Sequence, residues 1–217
     1  MDFNKENERL INYIKSYGYL KSRKLEKALK EIPRHLFVPE DVKELSYRDV
    51  PLSIGFGQTI SQPSTVVIMT EALEVKEGNK ILEVGTGSGW QAAILGKLVG
   101  EKGLVYTIEV NPQLVEFAKE NLRKVGLKNV KVFEGDGSLG LKEYAPFDRI
   151  IVTAAAPDFP KPLIQQLKVN GIMVIPVGNI YLQEMYVVKK LKSKLEKKSI
   201  GPFMFVPLVG KYGFKIK

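Results

Sequence analysis

The sequence predicts an α/β fold in which a mostly parallel sheet ends in antiparallel strands. Short apolar runs alternate with stretches of helical period through the middle of the chain, as expected for parallel strands joined by helices. A glycine-rich turn connects one of these runs to the next helical stretch. Two β-like stretches near the C terminus, residues 185–190 and 203–208, flank a lysine-rich turn and predict the antiparallel end.

Composition limits the classes of function. The chain has 217 residues, 44% of them hydrophobic, which predicts one domain with an elaboration and a substantial core. It has no cysteine, which excludes disulfides and thiolate nucleophiles, and its single histidine, His35, excludes multi-histidine metal sites. No metal site is therefore expected.

The N-terminal residues are polar and no apolar run is long enough to cross a membrane, so we expect a cytoplasmic protein.

The formal net charge of +9 suggests either a nucleic-acid partner or a lysine-rich surface. Much of the excess lies in residues 189–198, where no aromatic residue alternates with the lysines. Stacking aromatics usually accompany single-strand binding. A solvated surface is therefore favoured and a nucleic-acid partner is not expected, while the sequence leaves the oligomeric state open.

The N-terminal part is predicted to be helical and then irregular. Residues 4–17 have the spacing of an amphipathic helix, and Ser22 is placed to cap a second one. Residues 46–63 are predicted to be a long irregular segment rich in hydroxyls and amides, and such ordered loops are often functional. We therefore divide the chain into a helical and substrate-loop segment, 1–60, packed on a core, 61–217, that contains the C-terminal hairpin.

The core elements follow from apolar periodicity and from helix start and stop residues. Pro63 is placed as the first residue of a helix that reaches about Leu73. The remaining predicted elements are strands at 81–84, 104–109, 130–133, 147–152 and 172–178, and helices at 91–99, 112–125 and 161–168.

The glycine-rich turn at residues 85–89 predicts a nucleotide site. Glycine permits a tight turn and ligand contact with the backbone, and the next helix directs its N–H groups toward a ligand. The spacing is G-x-G-x-G rather than the G-x-G-x-x-G of dinucleotide sites, and Glu83 lies at the strand end. A carboxylate there suits a ligand with an ammonium or sulfonium, which indicates S-adenosylmethionine rather than NAD. A glycine turn in another α/β protein is the alternative.

Two further acidic residues follow strands. Glu109 ends the strand about twenty residues after the glycine turn, where an acidic side chain receives the ribose hydroxyls of an adenosine. Asp136 follows the strand at 130–133, where its carboxylate is placed to accept from an adenine amino group. An Asp-Gly turn without a ligand explains Asp136 equally well.

Several motifs together resemble the protein-L-isoaspartate O-methyltransferase family. They span most of the chain in the family's order. The glycine turn alone marks only the methyltransferase superfamily, whereas GQTISQP and VTAAAP are far more specific. The matching stretches are IPRHLFVP (32–39), PLSIGFGQTISQP (51–63), ILEVGTGSGWQAA (81–93), YTIEV (106–110), NVKVFEGDG (129–137), PFDRIIVTAAAP (146–157), IPVG (175–178) and FVPL (205–208).

The resemblance implies a Rossmann-like, seven-stranded S-adenosylmethionine-dependent methyltransferase fold. It implies S-adenosyl-L-methionine as cofactor, S-adenosyl-L-homocysteine as product, and repair of isoaspartyl-containing peptides and proteins through methylation of the free α-carboxylate. The active-site hydroxyl falls on Ser61, and substrate contacts fall on Thr59, Ile60, Thr153 and Gln183. The implied cofactor contacts are Gln58, Glu83, Gly85, Thr86, Gly87, Ser88, Gly89, Glu109, Val110, Gly135, Asp136 and Gly137. Many members carry a histidine where this chain has Ser64.

Two other functions compete with this interpretation. A nucleic-acid methyltransferase of the same fold usually has an Asn/Asp-Pro-Pro-aromatic turn after the fourth strand, whereas residues 153–157 read Thr-Ala-Ala-Ala-Pro and lack the polar and stacking pair. A non-catalytic peptide-binding module would not need Glu83, the glycines and Glu109, all of which are present.

Overall fold

The computed structural model describes residues 1–215 and contains a seven-stranded sheet flanked by helices. The helices are α1 (Phe3–Ser16), α2 (Arg23–Glu31), α3 (Pro63–Leu73), α4 (Trp90–Val99), α5 (Pro112–Lys124) and α6 (Lys161–Gln166). The strands are β1 (Leu52–Gly55), β2 (Gln58–Ile60), β3 (Lys80–Val84), β4 (Leu104–Glu109), β5 (Val130–Glu134), β6 (Phe147–Val152), β7 (Leu167–Gly178), β8 (Gln183–Lys190) and β9 (Leu195–Phe203).

The strand order of the large sheet is β5-β4-β3-β6-β7-β8-β9. The first five strands of that order are parallel, and β7, β8 and β9 pair antiparallel. After β3 the chain adds β4 and β5 on one side and then returns to place β6 on the other. The carboxyl end of β3 is thus a topological switch point, where open α/β sheets bind ligands. The predicted fold class is confirmed.

Sequence signals account for several helix starts. Ser22 accepts from the N–H of Leu25 at 3.3 Å and caps α2, as predicted. Asn111 caps α5 in the same way, followed by a proline in the first turn. These caps satisfy N–H groups that have no partner inside the helix.

The N-terminal helices pack on the core through a shared hydrophobic cluster. Leu25 and Phe37 belong to the same buried cluster as Val67 and Ile94. Trp90 adds a polar link, because its indole N–H donates to the carbonyl oxygen of Ile32 at 3.0 Å. The boundary at residue 60 stays a prediction, and the cluster extends across it.

The predicted irregular segment at 46–63 contains a small hairpin instead. β1 and β2 pair antiparallel, with Leu52 opposite Ile60. Gly55 and Gly57 adopt left-handed backbone angles, with φ of +85° and +69°, which glycine reaches without steric cost. The prediction missed these strands because each has only three or four residues.

Two C-terminal boundaries also differ from the prediction. The helix expected over 161–168 ends at Gln166, and β7 begins at Leu167, which pairs with Phe147. The strand expected over 203–208 is wrong, since β9 covers Leu195–Phe203. The sequence predicts a turn for the lysine-rich stretch, but Lys197 and Lys198 lie in the ladder with β8. An edge strand tolerates lysines because one of its sides is open to solvent.

We expect Leu25→Ala to destabilise the whole chain rather than the N-terminal segment alone. Leu25 is 1% exposed in the shared cluster, and such truncations cost about 2–5 kcal/mol. Denaturant unfolding followed by far-UV circular dichroism and by the fluorescence of the single tryptophan should give one coincident transition. Leu182→Ala, at a side chain 56% exposed, is the control and should change stability by less than about 0.5 kcal/mol. Separate transitions would contradict this view.

Candidate active site

A cavity opens at the carboxyl ends of β3, β4 and β6, at the switch point of the sheet. The glycine turn forms its floor, β2 with the following loop forms one wall, and the segment 206–209 forms another. Its predicted site residues are Gln58, Thr59, Ile60, Ser61, Gly85, Thr86, Gly87, Ser88, Glu109, Val110, Gly137 and Thr153. The structure thus brings together twelve residues from five separated parts of the sequence.

The glycine turn is fixed to both neighbouring strands. The N–H of Gly85 donates to the carbonyl oxygen of Ile108 at 2.9 Å, and the hydroxyl of Thr153 donates to the carbonyl oxygen of Gly85 at 2.7 Å. Gly85 has φ of +93°, and a Cβ there would lie 2.6 Å from the Thr153 hydroxyl oxygen. Glycine is required at this position on both counts.

Glu109 is held by main-chain donors. Its Oε2 accepts from the N–H of Gly87 at 3.0 Å, and its Oε1 accepts from those of Val110 at 2.9 Å and Asn111 at 3.1 Å. An ionised carboxylate offers about four acceptor positions. Acceptor capacity on Oε2 remains for a ligand hydroxyl at the cavity wall, and the contact with ribose hydroxyls stays a prediction.

Glu83 lies beneath the turn rather than in the cavity. Its side chain is fully buried, and its Oε2 accepts from the hydroxyl of Thr107 at 2.5 Å. That hydroxyl shares a 2.6 Å hydrogen bond with the hydroxyl of Thr86, which lines the cavity. Burial raises the pKa of Glu83 to about 8, against the lowering effect of the Thr107 hydrogen bond and with a further rise from nearby Glu109. Its Oε1 has no hydrogen-bond partner within residues 1–215.

Ser61 lies in the cavity wall, half-buried, directly after β2. Serine is a common helix-cap residue, and Ser61 lies two residues before the first residue of α3. The cap residue is Gln62, without a side-chain cap bond, and Asp49 accepts from the N–H of Ser64 at 2.8 Å and from the Gln62 amide at 3.1 Å. Asp49 therefore stabilises the start of α3, and the Ser61 hydroxyl does not serve as its cap.

Five predicted site residues lie outside the cavity lining: Glu83, Gly89, Gly135, Asp136 and Gln183. The Asp136 carboxylate accepts from the N–H and hydroxyl of Ser138 and from the N–H of Lys211, at 2.6–2.9 Å. The Gln183 amide donates to the Asn179 carbonyl and accepts from the Phe205 N–H. Both side chains hold the C-terminal segment in place, and their direct ligand contacts stay predictions.

Sequence reasoning missed several lining residues. Trp90 and Gln91 begin α4, Val66 and Met69 face the cavity from α3, and the segment 206–209 closes it. The segment is attached to the exit of β6, since Ala155 donates to the Val206 carbonyl at 2.8 Å and accepts from the Leu208 N–H at 2.7 Å. The FVPL motif is the available signal in the sequence, but its apolar residues predict a strand.

The site fits a methyl-donor nucleoside. The glycine turn exposes its backbone to the cavity, and the Glu109 carboxylate offers a hydrogen-bond acceptor. Apolar side chains such as those of Ile108 and Met69 form a hydrophobic part of the lining. No group of three His, Cys, Asp or Glu side chains suited to a metal ion occurs within residues 1–215.

No helix in that described range combines the length and apolarity that a membrane crossing needs.

Comparison with known proteins agrees with this geometry. A family model described as Protein-L-isoaspartate(D-aspartate) O-methyltransferase matches residues 4–213. A protein-L-isoaspartate O-methyltransferase from Hyperthermus butylicus is 49% identical over 98% of this chain and 92% of its own. Protein-L-isoaspartate O-methyltransferase 1 from Archaeoglobus fulgidus is 49% identical over 99% of this chain and 98% of its own.

Two solved structures extend the comparison to three dimensions. A protein-L-isoaspartate O-methyltransferase has a TM-score of 0.88 and 32% identity, covering 95% of this chain and 67% of its own. A Plasmodium falciparum structure of this type, in complex with S-adenosyl-L-homocysteine, has a TM-score of 0.84 and 25% identity, covering 94% of this chain and 98% of its own. The chain therefore belongs to the protein-L-isoaspartate O-methyltransferase family of S-adenosylmethionine-dependent enzymes.

Proposed function

We propose that this chain transfers a methyl group from S-adenosylmethionine to the free α-carboxylate of L-isoaspartyl residues in damaged peptides and proteins. The observation that carries the proposal is the juxtaposition, in one cavity, of Ser61 on the hairpin side with the glycine turn and Glu109 on the sheet side. S-adenosylmethionine, when bound, supplies an activated methyl group on a cationic sulfur.

The proposed nucleophile needs no general base. An α-carboxylate has an ordinary pKa of about 3.5 and is ionised at neutral pH. The single histidine is accordingly used elsewhere: His35 stacks on Phe3 and shares a 2.7 Å hydrogen bond with the Tyr47 hydroxyl. The chain must align a carboxylate oxygen with the methyl carbon. Such positioning can lower the activation free energy by about 7–11 kcal/mol.

We assign the positioning role to Ser61. Its hydroxyl would donate to one carboxylate oxygen of the substrate, leaving the other oxygen directed at the methyl group. A neutral hydroxyl suits this role better than lysine, because a full ion pair would reduce the nucleophilicity of the carboxylate. Thr59 and Ile60, on the same wall of the cavity, would contact the peptide backbone on either side of the isoaspartyl residue.

Nucleic acid is not proposed as a partner. Several residues of the lysine-rich stretch contact the protein's own groups. Lys190 donates to three carbonyl oxygens at the end of α6 and the start of β7, including that of Leu167 at 2.6 Å. The ammonium of Lys197 lies 3.6 Å from the ring centre of Phe159. A cytoplasmic location stays a prediction.

Methyl transfer assays should distinguish the candidate functions. With radiolabelled donor, we expect methylation of an isoaspartyl peptide and no methylation above background of the same peptide with a normal aspartyl residue, or of bulk RNA. The aspartyl peptide is the matched control because only the linkage differs. Labelling of RNA in place of the isoaspartyl peptide would support the nucleic-acid alternative and overturn the proposal.

Ser61→Ala should lower kcat for the isoaspartyl peptide. A hydrogen bond to a charged group is worth about 1.5–3 kcal/mol, which corresponds to a loss of about 10- to 150-fold. The affinity for S-adenosylhomocysteine, measured by calorimetry, should stay within about twofold, since a hydroxyl that contacts only the substrate contributes nothing to cofactor binding. Ser53→Ala, on the exposed face of β1, is the control. Wild-type turnover in Ser61→Ala would refute the assignment.

Cofactor binding should release a proton from Glu83. With a pKa of about 8, this buried carboxyl is mostly protonated in the free chain at about pH 7. A cation bound above it favours the ionised form and lowers that pKa, so affinity should rise as pH approaches about 8 and level off above it. Calorimetric titrations in buffers of different ionisation enthalpy measure the release.

Glu83→Gln provides the control for this titration because its amide cannot ionise. We expect the buffer dependence of the binding heat to disappear in this variant. Equal proton release by the wild type and by Glu83→Gln would show that another group titrates.

A further inference from the structure

Arg34 is a buried cation whose hydrogen-bond acceptors in the described chain are all main-chain carbonyl oxygens. It is 1% exposed. Its Nη1 donates to the carbonyl of Ser46 at 2.8 Å, and its Nη2 donates to those of Val50 and Ser61, both at 3.0 Å. Burial lowers the pKa of Arg34 to about 9, against the raising influence of Asp49. Burying a charge in this way is costly, so the arrangement calls for an explanation.

The carbonyl groups that Arg34 gathers come from both ends of the β1–β2 hairpin. Residues 46–50 precede the hairpin, and Ile60 and Ser61 end it. The guanidinium therefore closes the base of the hairpin. Because one of these bonds is made to the carbonyl of Ser61 itself, it fixes the backbone that carries the hydroxyl into the cavity.

The same guanidinium also contacts the cofactor side of the site. Its Cζ lies 5.5 Å from the ring centre of Trp90, the first residue after the glycine turn and a lining residue of the cavity. Trp90 is held in turn by its hydrogen bond to Ile32, two residues before Arg34. One side chain thus links the Ser61 loop to the end of the glycine turn.

We propose that Arg34 is a positioning residue that sets the placement of the Ser61 loop relative to the glycine turn, and so the alignment of the substrate carboxylate with the methyl group. This inference rests on the proposed function. Only arginine combines five N–H donors with a planar group that stacks on an indole. Lysine has three donors on a point charge, so Arg34→Lys should restore activity only in part.

The test compares Arg34→Met with the matched control Arg149→Met. Arg149 is also buried, 7% exposed, and donates to the carbonyls of Leu73, Glu74 and Asp148. It lies near the start of β6, opposite Ile81, and not at the cavity. Both variants should lose thermal stability. Only Arg34→Met should also lower kcat/KM for the isoaspartyl peptide, by about 10- to 100-fold, as misplacement of about 1 Å does.

A double-mutant cycle separates positioning from general destabilisation. In a Ser61→Ala background, Arg34→Met should lower kcat/KM by a much smaller factor, because the hydroxyl that it positions is already gone. The proposal is overturned if the two losses multiply in full, or if Arg149→Met loses the same activity as Arg34→Met at equal stability.

Hydrogen exchange tests the link without any substrate and with a milder variant. In Arg34→Lys, the amides of residues 58–62 should exchange faster than in the wild type, while those of β3 and β6 keep their protection. Unchanged exchange at 58–62 would overturn the proposed link. If the wild type failed to methylate the isoaspartyl peptide, the proposed function would fail while this exchange result still stood.

Discussion

The close approach of the chain at Gly85 is the constraint on which the site depends. The turn passes between β4 and β6. The N–H of Gly85 donates to the carbonyl oxygen of Ile108, and the carbonyl oxygen of Gly85 accepts from the Thr153 hydroxyl. A side chain at position 85 would occupy the space of that hydroxyl. Because parallel strands bring these atoms to one edge of the sheet, the strand order itself creates the floor of the cavity.

The acidic side chains around this floor lie at two different depths. Glu109 faces the cavity and is pre-oriented by three main-chain N–H groups. Glu83 lies below, joined to the cavity only through the hydroxyls of Thr107 and Thr86. The two glutamate side chains therefore have different surroundings, because one is held by main-chain donors at the cavity and the other is buried beneath the turn.

The sequence allowed the parallel sheet and the glycine turn to be predicted, because these depend on local apolar runs and on glycine spacing. Half of the cavity lining was also predicted, and residues 58–61 and Thr153 in it came from the family resemblance. Arg34, Asp49 and the segment 206–209 were not recognised as parts of the site. Their roles depend on contacts with distant residues, such as Arg34 with Ser61, which no local pattern reveals. The 203–208 strand failed for a related reason: the lysines of β9 resemble a turn until the pairing with β8 is known.

That lysine-bearing outer strand has a consequence for an enzyme of this kind. Unfolded chains have unpaired backbone groups that readily add to an open sheet edge. Lys197 and Lys198 on β9 disfavour such addition through their charge and the desolvation it would require. The outer edge of the sheet thus resists the addition of a further strand, while the cavity lies at the carboxyl ends of strands in the interior of the sheet.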